Sequence, residues 1–194
     1  MRLTLASASP RRAELLRAAG IPFDVLPVEI DERFYPNERP EQAVARLAES
    51  KAVAAAAIRP DDIVLGADTT VVIRDVALAK PANADEAARM LRLLSGRTHE
   101  VLTGICLCYH ARRLVHVEPT RVRMAQMGES EIAWYVSTDE PYDKAGGYAV
   151  QGFASRFIDG IDGSYSNVVG LPISSVYQLL KELGCDTLGL GKTR

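Results

Sequence analysis

Apolar and polar positions follow one another along this chain with two periods, one typical of strands and one typical of helices. Nearly continuous apolar sequence over residues 63–73 predicts a buried strand. Alanine-rich sequence over residues 41–58, with Val44, Leu47 and Ala48 on one stripe, predicts a helix with one buried face. The predicted strands are 3–6, 21–28, 63–73, 101–109, 114–124 and 157–161, and the predicted helices are 10–19, 41–58, 84–94, 129–137 and 172–183. Strands interleaved with helices predict an α/β fold.

Residues typical of helix boundaries mark where the first helix begins and ends. Ser9 is a common N-cap residue, Pro10 suits the first helical position, and Gly20 is expected to stop the helix. The polar stretch 31–40 contains two prolines and is expected to be a loop, whereas 143–152 is rich in glycine.

Length and composition are those of one folded domain. The chain has 194 residues, of which 47% are hydrophobic and 25% charged, and a formal net charge of -2. This balance excludes a disordered chain, a collagen-like fibre and a strongly basic nucleic-acid binder. No segment approaches the ~18 consecutive apolar residues of a membrane span. We expect one domain over residues 1–184 and a tail over 185–194, in which 189–193 resembles a P-loop but lacks that motif's first glycine.

The cysteines indicate a reducing compartment. Cys106, Cys108 and Cys185 are too few, and odd in number, for a disulfide framework. Cys106 and Cys108 alternate within an apolar run, as two buried thiols on one face of a strand would. His110 and His116 lie nearby, but no further pair with ligand spacing completes a zinc site. We therefore expect a cytoplasmic protein.

The informative residues are charges at positions where folding alone would favour apolar side chains. Asp68 lies inside the predicted strand 63–73, where an isolated carboxylate costs several kcal/mol unless it is paired or metal-bound. Lys51 follows Leu47 by four residues and so falls on the apolar helix stripe. Asp68 is either half of a structural salt bridge or a metal ligand or general base. Lys51 either snorkels to the surface or places an ammonium in a cleft.

Two arginines occupy the first turn of the helix that begins after Ser9. The free N–H groups and partial positive charge of a helix N-terminus disfavour cations there. Arg11 and Arg12 are therefore expected to bind an anion such as phosphate, unless they are two solvated residues on a surface helix.

Two further charges complete an inventory suited to a polyphosphate and a divalent metal. Lys80 follows strand 63–73 in a predicted turn, and Glu32 lies in the loop 31–40; each alone is typical of solvated surface. Cations neutralise phosphates, and carboxylates hold hard divalent ions. The set comprises Arg11, Arg12, Lys51, Lys80, Glu32 and Asp68.

In these residues and the motifs around them, the chain resembles the Maf family of nucleoside triphosphate pyrophosphatases over nearly its whole length. The matching stations, in order, are 6–12 (ASASPRR), Glu32, 49–52 (ESKA), 66–69 (GADT), Lys80-Pro81, 94–99 (LSGRTH), 143–152 (DKAGGYAVQG) and 163–172 (GSYSNVVGLP). The resemblance implies a mixed sheet with flanking helices, in two lobes around a deep groove, akin to the inosine triphosphate pyrophosphatases. It also implies hydrolysis of a nucleoside triphosphate to the monophosphate and pyrophosphate, with Mg²⁺, Mn²⁺ or Co²⁺.

The resemblance also implies roles for individual residues. Glu32 and Asp68 would be metal ligands, and Asp68 would also orient or deprotonate the water that attacks the α-phosphorus. The implied catalytic residues are Asp68, Glu32, Lys51 and Lys80, and the implied substrate contacts are Ser7, Arg11, Arg12, Thr69 and Gln151.

Three of these positions separate subgroups of the family by substrate. The subgroup linked to methylated GTP departs from arginine at Arg12, whereas Thr69 and Gln151 are typical of the subgroup acting on dTTP and UTP. A glutamine amide donates and accepts at once, which suits the imide edge of thymine or uracil. The resemblance therefore favours dTTP and UTP.

Two other function classes compete with the enzyme. A non-catalytic nucleotide-binding regulator of septum formation would keep the cations but would have less need for both Glu32 and Asp68. A nucleic-acid-binding domain is disfavoured by the pI of about 6.0 and by the lack of a basic stripe with interleaved aromatics. The expected partner is a nucleoside triphosphate, without nucleic acid or membrane, and a homodimer is a candidate assembly.

Overall fold

A seven-stranded mixed sheet carries the fold, with helices against both of its faces. The structure, a computed structural model, describes residues 2–185. The strands are β1 (Leu3–Ala6), β2 (Asp24–Val25), β3 (Ile63–Ile73), β4 (Val76–Leu78), β5 (Thr98–Tyr109), β6 (Arg112–Met124) and β7 (Ile158–Asp162). The α-helices are α1 (Pro10–Ala18), α2 (Pro40–Ile58), α3 (Ala84–Leu94), α4 (Glu129–Val136), α5 (Tyr165–Val169) and α6 (Ile173–Glu182), and short 3₁₀ helices cover Glu140–Asp143, Ala145–Gly147 and Phe153–Phe157.

The strand order is β2-β1-β3-β5-β6-β7, with β4 also paired to β3. β1 is parallel to β2 and β3, while the β3–β5, β5–β6 and β6–β7 pairs are antiparallel. On one edge of β3, residues 63–66 pair with β1 and residues 71–73 pair with β4. Among the described strands, neither β1 nor β4 pairs with residues 67–70 of that edge. The sheet therefore has a notch in the middle of β3.

Two apolar clusters lie on opposite sides of this notch. The first cluster joins β1, α1 and α6 to the first half of β3, through residues such as Leu5, Leu16 and Leu180. The second joins α3 and α4 to the far half of β3, through residues such as Met90 and Ile132. β3, β5 and β6 contribute to both clusters, which form the two lobes of the protein. The mixed sheet with flanking helices that the resemblance implies is confirmed.

Helix α2 lies unusually close to the sheet because two glycines face it. A Cβ added at Gly66 would lie 2.1 Å from the carbonyl oxygen of Ala48, and one added at Gly104 would lie 2.2 Å from that of Val44. Both distances are too short for a real contact, so only glycine permits this approach. Through it, α2 brings Lys51 against β3.

Element boundaries agree with the predicted ones except in a few places. The predicted strand 21–28 is wrong in extent, because only Asp24–Val25 pairs with β1. Pro22 and Pro27 have no backbone N–H to donate, which leaves a short edge strand. Ser9 takes the N-cap position of α1, but its side chain makes no capping hydrogen bond. β4 and α5 were not predicted, since three and five residues carry too little periodic signal.

Two further expectations concern the C-terminal tail and membrane spans. Of the predicted tail 185–194, residues 186–194, including the stretch 189–193, lie outside the described residues, whereas Cys185 is buried in the first apolar cluster. Within residues 2–185, none of the helices combines the length and the apolar composition that a membrane span requires.

Candidate active site

The notch beside β3 opens into a cleft of about 960 Å³ between the two lobes. Its floor comes from residues 68–71 of β3, and its walls come from the loop after β1, the loop before α2, the turn after β4 and the segment 143–151. All nine site residues expected from the sequence line this cleft: Ser7, Arg11, Arg12, Glu32, Lys51, Asp68, Thr69, Lys80 and Gln151. The structure thus brings together side chains from six separate stretches of the chain.

Lys51 pairs with both acidic residues of the expected set. Its Nζ lies 2.6 Å from Oε1 of Glu32 and 2.7 Å from Oδ1 of Asp68. The Lys51 side chain is only 9% exposed, which rules out snorkelling to the surface. Partial burial alone would raise the pKa of Glu32, but the hydrogen bond and charge of Lys51 outweigh it, so that the pKa lies below its ordinary value. One ammonium therefore holds two carboxylates at a single point.

Successive residues of β3 serve opposite faces of the sheet at this point. Asp68 points toward α2 and Lys51, whereas Thr69 points toward α1 and the turn before α6. The Thr69 hydroxyl lies 3.0 Å from the hydroxyl of Thr103, its neighbour on β5, and 3.3 Å from the carbonyl oxygen of Gly170. Two adjacent residues of β3 therefore serve different groups: Asp68 pairs with Lys51 on one face of the sheet, and Thr69 hydrogen-bonds to polar groups on the other.

Arg12 uses most of its donors on the protein itself. Nε donates to the carbonyl oxygen of Gly170 at 2.8 Å, and Nη1 donates to the carbonyl oxygen of Ala67 at 2.8 Å and to Oγ of Ser7 at 3.1 Å. Nη2 donates to Oγ1 of Thr69 at 3.0 Å. Four of the five guanidinium hydrogens are thereby used, leaving one on Nη2. Arg12 fastens three cleft-lining segments together, which the sequence did not indicate.

Arg11 belongs to a second charged group on the far wall. Its Nη1 donates to Oδ2 of Asp143 at 2.8 Å, and Lys144 also pairs with Asp143. Burial would raise the pKa of Asp143, but the hydrogen bonds from Lys144 and Arg11 keep it below its ordinary value. Asp143 and Lys144 were not among the expected site residues, although two adjacent charges in a glycine-rich stretch were a signal that could have found them.

Lys80 and Gln151 face the cleft from its open side. Both are exposed and line the cleft walls. Within the part of the chain that the structure describes, Lys80 has no carboxylate partner within 4.0 Å, unlike Arg11 and Lys51. The charge of Lys80 lowers the pKa of Glu32 further, after the larger effects of burial and Lys51. Lys80 is therefore a cation free to meet an anionic ligand.

The carboxylates fit a hard divalent ion. No group of three or more histidine, cysteine, aspartate or glutamate side chains among the described residues could form a complete metal cage. Mg²⁺, however, is commonly held by one or two carboxylates together with phosphate oxygens and water. Glu32 and Asp68, already gathered within 2.7 Å of one Nζ, supply that donor set.

A cleft lined by Arg11, Lys51, Lys80 and two carboxylates, in a two-lobed α/β fold, defines a protein that binds phosphorylated ligands. Comparison with known proteins narrows this class. The family model described as "Maf-like protein" matches residues 2–183, and the chain belongs to the Maf family.

Similar curated proteins carry one name. A protein of Koribacter versatilis named dTTP/UTP pyrophosphatase is 52% identical over 184 residues, covering 95% of each chain. A protein of Syntrophus aciditrophicus with the same name is 52% identical over 188 residues, covering 96% of this chain and 92% of that one. Among solved structures, the Ham1 protein of Staphylococcus aureus matches with a TM-score of 0.49 and 11% identity, over 94% of this chain and 100% of that one.

Proposed function

We propose that this protein hydrolyses nucleoside triphosphates, with dTTP and UTP as its substrates, to the nucleoside monophosphate and pyrophosphate. The proposal rests on one observation: three cations and two carboxylates line the same cleft. The cations are Arg11, Lys51 and Lys80, and the carboxylates are Glu32 and Asp68. The name shared by relatives at 52% identity over nearly the full chain supports the choice of nucleotides.

Each charged residue has a distinct part in this reaction. Asp68 orients the attacking water and accepts its proton, while Lys51 keeps Asp68 beside Glu32. Arg11 and Lys80 offset the charge that builds on the phosphate oxygens as pyrophosphate leaves. Glu32 and Asp68 would hold a divalent cation, Mg²⁺, Mn²⁺ or Co²⁺, which when bound supplies further neutralisation of the phosphate oxygens.

The polar residues of the cleft select the base. Gln151 is exposed on the cleft wall, and its amide can donate to and accept from the imide edge of thymine or uracil. Thr69 is the second base-selecting residue. Arg12 acts partly through Thr69, because its Nη2 donates to the threonine hydroxyl and keeps one hydrogen for substrate. Ser7 supports this arrangement by accepting from Arg12 and from the backbone N–H of Ser9.

A panel of nucleotides tests the proposal. We expect pyrophosphate, and no orthophosphate, to be released from dTTP and UTP in the presence of Mg²⁺, with little release from GTP. Chelation of the divalent ion should stop the reaction, and its re-addition should restore it. Tight dTTP binding without any turnover would contradict the proposal and support the non-catalytic regulator instead.

We extend the proposal to compartment and assembly. Cys106 and Cys108 are buried thiols whose Sγ atoms lie 3.7 Å apart without a disulfide, which is consistent with the reducing cytoplasm. Bare nucleic acid is not a partner, because the net charge of -2 gives no basic footprint. The homodimer stays a prediction, and sedimentation measures it.

A further inference from the structure

One carboxylate of the site sits on a long irregular loop rather than on a strand or helix. Between the end of β2 at Val25 and the start of α2 at Pro40, the chain forms no helix or strand. Glu32 lies in the middle of this loop, and its side chain is 57% exposed. Asp68, by contrast, is fixed by β3 and is 14% exposed. The two proposed metal ligands therefore differ in how firmly the fold places them.

Arg46 of α2 makes four contacts with this loop. Its Nε and Nη2 donate to Oε1 and Oε2 of Glu38, both at 2.7 Å, in a bidentate pair. Nη2 also donates to the carbonyl oxygen of Arg33 at 3.0 Å, and the guanidinium carbon lies 4.0 Å from the ring centroid of Tyr35. Oε2 of Glu38 also accepts a hydrogen bond from the backbone N–H of Tyr35, at 3.0 Å. Arg46 thus holds the backbone that directly follows Glu32.

The pair between Arg46 and Glu38 differs from an ordinary surface ion pair. The two side chains are 24% and 10% exposed, and the geometry is bidentate. Isolated exposed pairs contribute little, whereas bidentate pairs with limited exposure fix a geometry. Arg46 also lies on the same helix as Lys51, five residues earlier. The loop that carries Glu32 is therefore fastened to the helix that carries Lys51, the ion-pair partner of Glu32.

We propose that Arg46 is a positioning residue that fastens the loop 31–38 to α2 and thereby holds Glu32 beside Asp68, where the divalent cation binds. The proposal rests on the proposed function for the role of the metal, but the fastening itself does not depend on activity. Arg46 does not line the cleft, so it acts on the reaction only through other residues.

The experiment compares Arg46→Ala, Arg46→Lys and Glu38→Gln with a matched control, Arg113→Gln. Arg113 also forms an ion pair with α2, through Glu49 at 3.1 Å, but it makes no contact with the loop. Hydrogen exchange reports the order of residues 31–38, and calorimetry with Mn²⁺ alone and with Mn²⁺ plus pyrophosphate reports metal affinity. The Mg²⁺ concentration for half-maximal dTTP turnover is the third readout.

We expect Arg46→Ala to speed exchange in residues 31–38 and to weaken Mn²⁺ binding by about 10-fold, the lower end of what loss of a ligand-supporting contact costs. Turnover at saturating metal should stay within about threefold of the wild type, since no group that touches substrate is lost. Glu38→Gln and Arg46→Lys should lie between, because each keeps part of the contact set. Arg113→Gln should match the wild type in every readout.

Two results would overturn the positioning role: unchanged exchange in residues 31–38, or Mn²⁺ affinity equal to that of the wild type in Arg46→Ala. Failure of the proposed function looks different. If the wild type releases no pyrophosphate while Arg46→Ala still loosens the loop and weakens Mn²⁺ binding, the positioning role stands and the reaction assigned to the site is wrong.

Discussion

At the scale of single residues, Lys51 explains how a buried strand can carry Asp68. The carboxylate has a cation at 2.7 Å, which offsets part of the cost of placing it there. Asp68 can be both half of a salt bridge and a functional residue, because the ion pair that permits its burial also holds the carboxylate at the cleft floor.

Asp68→Asn tests the role of that carboxylate. The change keeps the shape and leaves Lys51 paired with Glu32, but it removes a proton acceptor. We expect turnover of dTTP to fall at least ~100-fold, a typical effect of losing a general base. Asp162→Asn is the control, since Asp162 is 77% exposed and far along the chain on β7. Near-normal pyrophosphate release by Asp68→Asn would refute the assignment.

Thr69 and Gln151 should govern the choice of base rather than the rate of chemistry. Replacing both by alanine removes polar groups from the lining of the cleft while leaving Asp68 and Lys51 in place. We expect the ratio of kcat/KM for dTTP over GTP to drop at least ~10-fold, about the value of one hydrogen bond. A double variant that still prefers dTTP and UTP as strongly as the wild type would show that base choice lies elsewhere.

His99 gives stability a dependence on pH that is separate from the charged cluster. The ring is 2% exposed, its Nε2 lies 2.6 Å from the hydroxyl of Tyr148, and Nδ1 has no partner among the described residues. Burial lowers the pKa of His99 from 6.5 to about 4. Between these values the unfolded chain binds a proton that the folded chain does not, so the free energy of unfolding falls as the pH falls.

Substitution of His99 should therefore flatten that dependence. From pH 6.5 to 5 the wild type should lose about 1.5 kcal/mol through this group, because the full slope of about 1.4 kcal/mol for each pH unit is reached only well below pH 6.5. His99→Gln keeps a polar group for Tyr148 and should lose correspondingly less over the same window. Urea unfolding at several pH values measures both slopes, and equal slopes would mean that His99 is not the titrating group.

At the scale of elements, the sequence predicts the long strands and helices well and the short ones poorly. β3 agrees with the apolar run 63–73, and α3 agrees with 84–94. β2 shrinks to two residues because prolines flank it, and β4 is missed because three residues carry no period. Long elements contain enough repeats to reveal a buried face, whereas short ones depend on neighbours distant in sequence.

The same contrast holds for the site. Charges inside apolar elements, such as Asp68 and Lys51, stand out because they conflict with the local pattern. Arg46 and His99 could not be found this way, since their importance comes from partners 8 and 49 residues away. Nothing in the local sequence around Arg12 indicates that its donors serve Gly170 and Ala67.

The contact between α2 and the sheet leads to a prediction about Gly104. A methyl group there would lie 2.2 Å from the carbonyl oxygen of Val44, so Gly104→Ala must push α2, and with it Lys51, away from β3. We expect a loss of stability of about 1–3 kcal/mol, as for other overpacked sites, and reduced turnover. Gly128→Ala is the control, because its φ of −79° is ordinary and the nearest atom to a new Cβ is 3.6 Å away.

Urea unfolding and dTTP turnover check this pair of variants. Gly104→Ala should show a lower midpoint and weaker turnover than Gly128→Ala. If the two variants are equally stable and equally active, the close approach of α2 is not what places Lys51.

At the scale of the whole molecule, the notch in the sheet is what turns scattered charges into one site. β1 and β4 pair with the two ends of β3 and leave residues 67–70 open at the junction of the lobes. The loop after β1, the loop before α2, the turn after β4 and the segment 143–151 all end at this opening. A polyphosphate lying along it would meet cations from both lobes while its α-phosphorus faces Asp68.

The most direct test of that arrangement is hydrolysis of dTTP in water enriched in ¹⁸O, followed by mass spectrometry of both products. Attack at the α-phosphorus predicts that the label enters dTMP and that pyrophosphate carries none. Label in pyrophosphate, or release of orthophosphate in its place, would show attack at another phosphorus and would contradict the account.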